Sequence, residues 1–167
     1  MPRLTLLGLL RAGLVLLAAL AGATVLPRTG VPARLVPDLV VILVASGAVL
    51  RGRVPGAVLG LAAGWVVDLV PPSGSPLGVT ALLYAASGAV AGSFRREGGR
   101  TALVPAAALL SAAASVQVGR VALTVLADGV TDLAAAASRV AVTLLVGALA
   151  LPLLIRLDQA LVRRRLA

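Results

Sequence analysis

The sequence predicts an all-α fold: a single polytopic membrane domain built from a bundle of six transmembrane helices. Of the 167 residues, 60% are apolar and only 13% are charged, and the apolar residues fall in long runs bounded by arginine, proline or glycine. An ordinary soluble domain is less than half apolar and about a quarter charged. Crossing a membrane takes roughly 20 apolar residues, within a range of about 17 to 25. The bilayer is therefore the predicted solvent of this chain.

Six apolar runs are assigned as membrane segments. Segments 2 and 3 are short and are separated only by Arg51, Gly52 and Arg53, which is typical of a tight helical hairpin. The remaining connections are too short to hold a soluble domain, so residues 1–167 are assigned to one integral membrane domain. The segments cover residues 4–26, 35–50, 54–70, 77–94, 101–127 and 133–155.

The first segment has two interpretations. Arg3, the apolar run after it and the small residues Ala21-Gly22-Ala23 resemble a cleavable signal sequence. Against cleavage, Arg11 interrupts the apolar run, which then continues to Leu26. We interpret the segment as a retained helix, and cleavage would leave five helices in the same orientation.

The arginines predict the orientation of the bundle, because positive residues in short loops stay on the cytoplasmic side. Ten arginines fall on one side of the membrane, whereas Arg28 and Arg34 fall on the other side with the acidic loop 128–132. This bias predicts that both termini are cytoplasmic. The ten are Arg3, Arg51, Arg53, Arg95, Arg96, Arg100, Arg156 and Arg163 to Arg165.

The composition also argues against several classes of function. Without cysteine or histidine the chain has no thiol nucleophile and none of the usual zinc, copper or iron ligands, so we expect no metal and no cofactor. The charged residues that give the net charge of +9 lie between the apolar runs and form no continuous basic face, and the only aromatic residues are Trp65, Tyr84 and Phe94. Both features argue against nucleic-acid binding. No nucleophile and base are spaced recognisably, so we predict that the protein is not an enzyme.

Segment 3 carries a row of glycines. Gly56, Gly60 and Gly64 recur every four residues and share one helix face, and Gly88 and Gly92 form a second pair on segment 4. Such rows let the backbone of another helix approach closely in lipid. These five glycines are the predicted helix-packing or partner face, and the sequence leaves open whether they meet this chain or another protein.

Asp68 extends the glycine row and lies in the last turn of its helix, where the helix dipole disfavours a carboxylate. It therefore needs a cationic or hydrogen-bonding partner. Because Arg120 and Arg139 lie at a similar depth, we predict an outer polar cluster of Asp68, Arg120 and Arg139, either a structural ion pair or a functional site. Gln117 shares the face of Arg120.

Asp38 begins a helix, where the helix dipole favours an acid, and it is interpreted as a simple N-cap. Because Asp68 lies at the unfavourable end of its helix, Asp68→Asn is expected to weaken the bundle more than Asp38→Asn.

The order of these features resembles the MreD family, the polytopic subunit of the bacterial rod-shape machinery. The resemblance rests on chain length, on the six hydrophobic segments and on motifs in the middle third of the chain. These motifs are Pro37-Asp38-Leu39, Arg51-Gly52, the Gly56/Gly60/Gly64 row, Asp68-Leu69 and Leu77-Gly78.

The resemblance implies a non-enzymatic scaffold in the bacterial plasma membrane. Members associate with MreC and, with it, link cytoplasmic MreB filaments to the peptidoglycan synthase formed by RodA and a class B penicillin-binding protein. The short loops of this chain indicate that partners bind along helix faces in the bilayer or at short charged rims.

The family is also similar to the S-components of energy-coupling-factor (ECF) vitamin transporters, which leaves a second hypothesis open. The chain would then be a small-molecule-binding subunit of a membrane transporter, with an outward-open pocket near Asp68, Arg120 and Arg139. Pockets of this kind combine apolar walls with a few convergent polar groups. The outer loops contain no tryptophan, histidine or asparagine, which weakens this hypothesis.

Overall fold

A computed structural model describes residues 13, 17, 30, 32–70, 76–95, 103–127 and 129–163. Every regular element in these ranges is helical, which confirms the predicted all-α class. Segment 1 lies outside the described residues except for Gly13 and Leu17, so the count of six helices stays a prediction. The elements are a short 3-10 helix at Ala33–Leu35, α1 at Leu39–Arg51, α2 at Arg53–Leu69, α3 at Val79–Ser93, α4 at Leu103–Leu126 and α5 at Leu133–Arg163.

Helices α1 to α5 lie where segments 2 to 6 were predicted, with ends shifted by at most four residues except at the end of α5, which lies eight residues later than predicted. Asp38 sets the start of α1, because its side chain accepts a hydrogen bond from the Val41 N–H at 3.2 Å. Gly52 alone separates α1 from α2 and has a φ of +98°, which glycine adopts without steric cost. The tight hairpin therefore forms around one residue.

Two helices of the described part are long and apolar enough to cross a membrane, at Leu103–Leu126 and Leu133–Ala150. α1 and α3 are apolar but have only 13 and 15 residues. At 1.5 Å per residue they are about 20 and 22 Å long, short of a hydrocarbon core of about 30 Å. α5 continues past residue 155 to Arg163, because arginine, glutamine, leucine and alanine are good helix formers inside or outside the apolar run.

α1 is the central helix of the described bundle and contacts each of the other four helices. Val40, Val41, Ile42 and Val44 are at most 5% exposed, and because they point in different directions around the helix, most of the circumference of α1 is buried. A helix that is apolar all round is typical of such a central position. Small residues at the contacts allow the close approach on which helix association in lipid depends. Those on the neighbouring helices include Ala63, Ala91, Ala108 and Ala112.

The glycine row of α2 packs directly against α3. At Gly60 an added Cβ would overlap the carbonyl group of Tyr84, with only 2.6 Å to its carbon. A side chain at this position would force the two backbones apart. In the pairs of residues that contact each other, the number rises along α2 while it falls along α3, so the two helices are antiparallel. The contacting pairs are Gly56 with Gly88, Gly60 with Tyr84, Gly64 with Ala81, and Gly52 with Gly92. The geometry favours packing inside the chain over a seam for a partner.

Replacing Gly60 by alanine should destabilise the bundle, because the new methyl group collides with backbone atoms that cannot rotate away. Overpacking of a tight contact costs about 1–3 kcal/mol, and leucine should cost more than alanine. Thermal unfolding in detergent measures the loss. Gly119→Ala is the matched control, since its Cβ would meet only the side chain of Leu83, whose far end can turn aside. Equal losses at the two positions would contradict the backbone contact.

Candidate functional site

Asp38, directly before α1, is the centre of a polar network. Besides capping α1 through the Val41 N–H, its carboxylate accepts a hydrogen bond of 2.7 Å from the Tyr84 hydroxyl. It also forms an ion pair of 3.2 Å with Nη2 of Arg120. The backbone N–H of Asp38 donates to Oγ1 of Thr143 at 2.9 Å. One residue therefore joins the start of α1 to α3, α4 and α5.

The network is shielded by the surrounding helices. Tyr84 and Thr143 are 2% and 1% exposed, and the side chains of Asp38 and Arg120 are 11% and 32% exposed. Nη2 of Arg120 also donates to the Tyr84 hydroxyl at 3.2 Å, and Thr143 donates to the carbonyl of Arg139 at 2.8 Å. A buried ion pair is tolerated when further hydrogen bonds satisfy its remaining polar atoms. The side chains of Asp38, Tyr84, Arg120 and Thr143 are called the Asp38 network below. Their hydrogen bonds satisfy the carboxylate of Asp38 and Nη2 of Arg120, and the rest of the Arg120 guanidinium group is partly exposed.

Asp68 lies at a different place, at the end of α2, and is 4% exposed. Its Oδ2 accepts hydrogen bonds of 2.9 Å from the Gly78 N–H and 3.3 Å from the Ala81 N–H. These amides belong to the first turn of α3, where the helix dipole favours a negative charge. The sequence correctly predicted that Asp68 needs a partner, and the partner is the backbone of the next helix.

The predicted cluster of Asp68, Arg120 and Arg139 is corrected by this geometry. Arg120 pairs with Asp38, and in the part of the chain that the structure describes Asp68 bonds to α3 and to neither arginine. The three residues lie at a similar depth but on faces that point in different directions. Asp68 is on the row that meets α3, whereas Arg120 points to the start of α1.

Sequence reasoning missed Tyr84 and Thr143, and it limited Asp38 to a capping role. One signal for Tyr84 was available: it is the only tyrosine and lies four residues before Gly88, on the face of α3 that packs inward. A buried tyrosine hydroxyl needs a hydrogen-bond partner. An acid that could accept from this hydroxyl was also present in the sequence, since Asp38 stands at the start of a neighbouring helix.

A cavity of about 490 Å³ lies beside the Asp38 network, between α3, α4 and α5. Arg120 and Arg139 line it, as the pocket hypothesis predicted, and Asp68 does not. Gln117, which was placed on the face of Arg120, also lines it. Its volume is in the range of about 300–1,000 Å³ found for small-molecule sites. The other polar lining residues are Thr80, Thr124, Thr131 and Asp132, and the apolar ones include Val79, Leu83, Val121 and Leu123.

The two ends of the bundle carry different groups. At one end, Nη1 of Arg95 donates to the carbonyl of Arg51 at 3.1 Å, which places two basic turns together. At the other end, Ser138 donates to the carbonyl of Arg34 at 3.3 Å, and Asp132 caps the start of α5. The two basic turns thus share one end of the bundle, and the direction in which that end faces in the membrane stays a prediction.

Comparison with the profiles of known protein families shows to which family the chain belongs. A sequence profile described as rod shape-determining protein MreD matches residues 3–156. The chain belongs to the MreD family. Comparisons with curated proteins and with solved structures gave no match. This MreD chain is therefore a membrane protein with a role in determining rod shape, and its family is structural and is not known as enzymatic.

In this MreD protein, Asp38→Asn should destabilise the bundle more than Asp68→Asn, the reverse of the order expected from sequence. Asparagine at 38 leaves Arg120 without its counter-charge, which costs about 3–5 kcal/mol at a fully buried site and about 2 kcal/mol here, where Arg120 is partly exposed. Asparagine at 68 keeps an oxygen for the Gly78 and Ala81 amides, so about 1 kcal/mol is expected. Thermal unfolding in one detergent compares the two, and a larger loss for Asp68→Asn would refute this order.

Tyr84→Phe should cost about 1 kcal/mol in the parent protein and less in an Asp38→Asn background, because its hydroxyl donates to that carboxylate. A double-mutant cycle should give a coupling of about 0.5 kcal/mol or more. Trp65→Phe is the control, since Trp65 is 47% exposed. The loss of stability caused by Trp65→Phe should simply add to the loss caused by Asp38→Asn. Additive losses for Tyr84→Phe would show that its hydroxyl does not act through Asp38.

Proposed function

We propose that this MreD chain is a non-enzymatic membrane scaffold of the cell-elongation complex. It binds MreC and, with it, links MreB filaments to the peptidoglycan synthase formed by RodA and a class B penicillin-binding protein. The observation that carries this proposal is the family match over residues 3–156. The named partners are those that the family resemblance implies.

The polar groups of the described helices are engaged in holding the helices together, which supports the role of a scaffold. Asp38 and Asp68 bond to groups that hold helices together, and the glycine row of α2 is covered by α3. The surface left for a partner or for lipid is apolar and lateral. On α2 it is a stripe at helical spacing whose members are each at least 38% exposed, namely Val54, Val58, Leu61, Trp65 and Leu69.

We also propose six transmembrane helices in one domain of the bacterial plasma membrane, with both termini cytoplasmic. The pairing of the Arg51 and Arg95 turns at one end supports this orientation, because positive residues in short loops are retained in the cytoplasm. The Asp38 network and the cavity then lie toward the outer surface.

Single cysteines test this orientation, since the chain has none of its own. Val130→Cys, at a position 99% exposed, should react with a membrane-impermeant maleimide added to intact cells. Arg51→Cys, exposed at the opposite end, should react only after the cells are permeabilised. The opposite labelling pattern would show that the bundle has the inverted orientation in the membrane.

Recovery of MreC from native membranes tests the scaffold. The parent and Gly119→Ala should co-purify with MreC and support rod growth, whereas Gly60→Leu should lose both because α2 and α3 cannot pack. Failure of the parent to recover MreC would refute the proposed partner. If Gly60→Leu inserts, binds MreC and supports rod growth like the parent, the role given to the glycine contact is wrong.

The cavity favours a second candidate, the small-molecule-binding transporter subunit that the similarity to ECF S-components implies. Arg120 and Arg139 line it as that hypothesis requires, although Asp68 does not. Thermal stabilisation by a member of a vitamin panel, or a neighbouring gene for a transporter ATPase, would support this candidate. A gene beside those of MreB and MreC would support the scaffold.

A further inference from the structure

Three arginines lie together at the end of the bundle where α1 turns into α2. Arg51 and Arg53 stand on the two sides of Gly52, and Arg95 follows α3. Nη1 of Arg95 donates to the carbonyl of Arg51 at 3.1 Å, and its side chain lies over Gly52, where an added Cβ would be 3.3 Å from Cδ and Nη1. All three arginines are exposed, and they are called the basic turn below.

The positive charge of the basic turn is not neutralised by the described part of the chain. Neither Arg51 nor Arg53 forms a side-chain hydrogen bond or an ion pair with a described residue, and the side-chain hydrogen bond of Arg95 goes to a neutral carbonyl. In the sequence, the residues after Arg95 add two further arginines and one acid, Glu97. The acidic side chains that the structure describes lie at the opposite end of the bundle, namely Asp38, Asp68 and Asp132. The basic turn therefore complements an anion.

Distances along the helices place the basic turn at the level of lipid headgroups. From Leu126, the last residue of α4, to Arg120 is about 9 Å at 1.5 Å per residue, and Arg120 contacts Asp38. From Asp38 along α1 to Gly52 is about 21 Å. The two lengths together match a hydrocarbon core of about 30 Å. With the end of α4 at one headgroup layer, the basic turn therefore reaches the other, where lipid phosphates lie.

An exposed apolar surface begins directly at the basic turn. Val54, Val58 and Leu61 are exposed and recur at helical spacing along one face of α2. This face runs from Arg53 toward the middle of the bilayer. A ligand with an anionic head and an apolar chain contacts both surfaces at once, the head at the arginines and the chain along α2, whereas a soluble anion contacts only the arginines.

We propose that the basic turn binds the headgroup of an anionic phospholipid. Arg51 and Arg53 donate to the phosphate oxygens, which match the planar fork of a guanidinium group. One acyl chain of the lipid packs along Val54, Val58 and Leu61. In the orientation proposed above the lipid belongs to the cytoplasmic leaflet, whose anionic lipids attract basic segments next to membrane helices. This site goes beyond the scaffold function and does not depend on it.

The test uses the full chain purified in detergent and three lipids with the same two oleoyl chains. Phosphatidylglycerol is anionic, phosphatidylcholine has a phosphate but no net charge, and diacylglycerol has no phosphate. Titrations followed by native mass spectrometry compare the three affinities. Phosphatidylglycerol should bind saturably and more tightly than the other two lipids, and a higher salt concentration should weaken its binding because exposed charges are screened. Equal affinities for phosphatidylglycerol and phosphatidylcholine would refute the recognition of an anionic headgroup.

Arg51→Gln and Arg53→Gln should each weaken the binding of phosphatidylglycerol about fivefold, the effect of one arginine near a charged surface. Arg53→Lys should retain most of the affinity, because the positive charge stays. Arg34→Gln is the matched control, since it removes the same charge from an exposed position at the opposite end of the bundle and should leave the affinity unchanged. Thermal unfolding shows whether each variant folds, and if one glutamine variant does not, the other decides.

Three results would overturn the proposal. The first is that both glutamine variants bind phosphatidylglycerol like the parent, or that Arg34→Gln is weakened as much as they are. The second is displacement of the lipid by an equal concentration of glycerol 3-phosphate, which would show that the apolar face of α2 contributes nothing. The third is unchanged lipid binding by Arg53→Gln together with reduced recovery of MreC, which would assign the basic turn to a protein partner.

Discussion

A single carboxylate, that of Asp38, constrains the arrangement of most helices that the structure describes. An unpaired charge is costly in a membrane-embedded bundle, so its counter-charge and hydrogen bonds must be supplied by neighbours. Here they come from Tyr84 on α3 and Arg120 on α4, while Thr143 on α5 accepts from the Asp38 backbone. Because Asp38 also caps α1, the same contacts fix where the central helix begins and how it is rotated.

The contact between α2 and α3 solves a different problem. Lipid gives two apolar helices little hydrophobic reason to associate, so close packing and hydrogen bonds have to hold them together. The glycine row supplies the packing, and Asp68 supplies hydrogen bonds at one end of the contact. Both helices of this closely packed pair also contact α1. A well-defined lateral surface of this kind suits a protein whose function is to position other membrane proteins.

The sequence predicted four features of the fold: the helical class, the approximate positions of α1 to α5, the Asp38 cap and the need of Asp68 for a partner. Each depends on residues within a few positions of one another, or on the period of a helix. The partner of Arg120 was not accessible, because depth along a helix can be counted whereas the direction in which a face points depends on how each helix is rotated. Asp38 and Arg120 are 82 positions apart, and only the packed bundle shows that they meet.

The hydrogen bonds from Gly78 and Ala81 to Asp68 close the gap between α2 and α3 directly, without using residues 71–75. Glycine faces alone would let two helices slide along each other, because they have no side chains that interlock. A carboxylate at the end of α2 that bonds to two particular amides at the start of α3 permits one axial position. Asp68 thus acts as a stop that sets the sliding position of the pair.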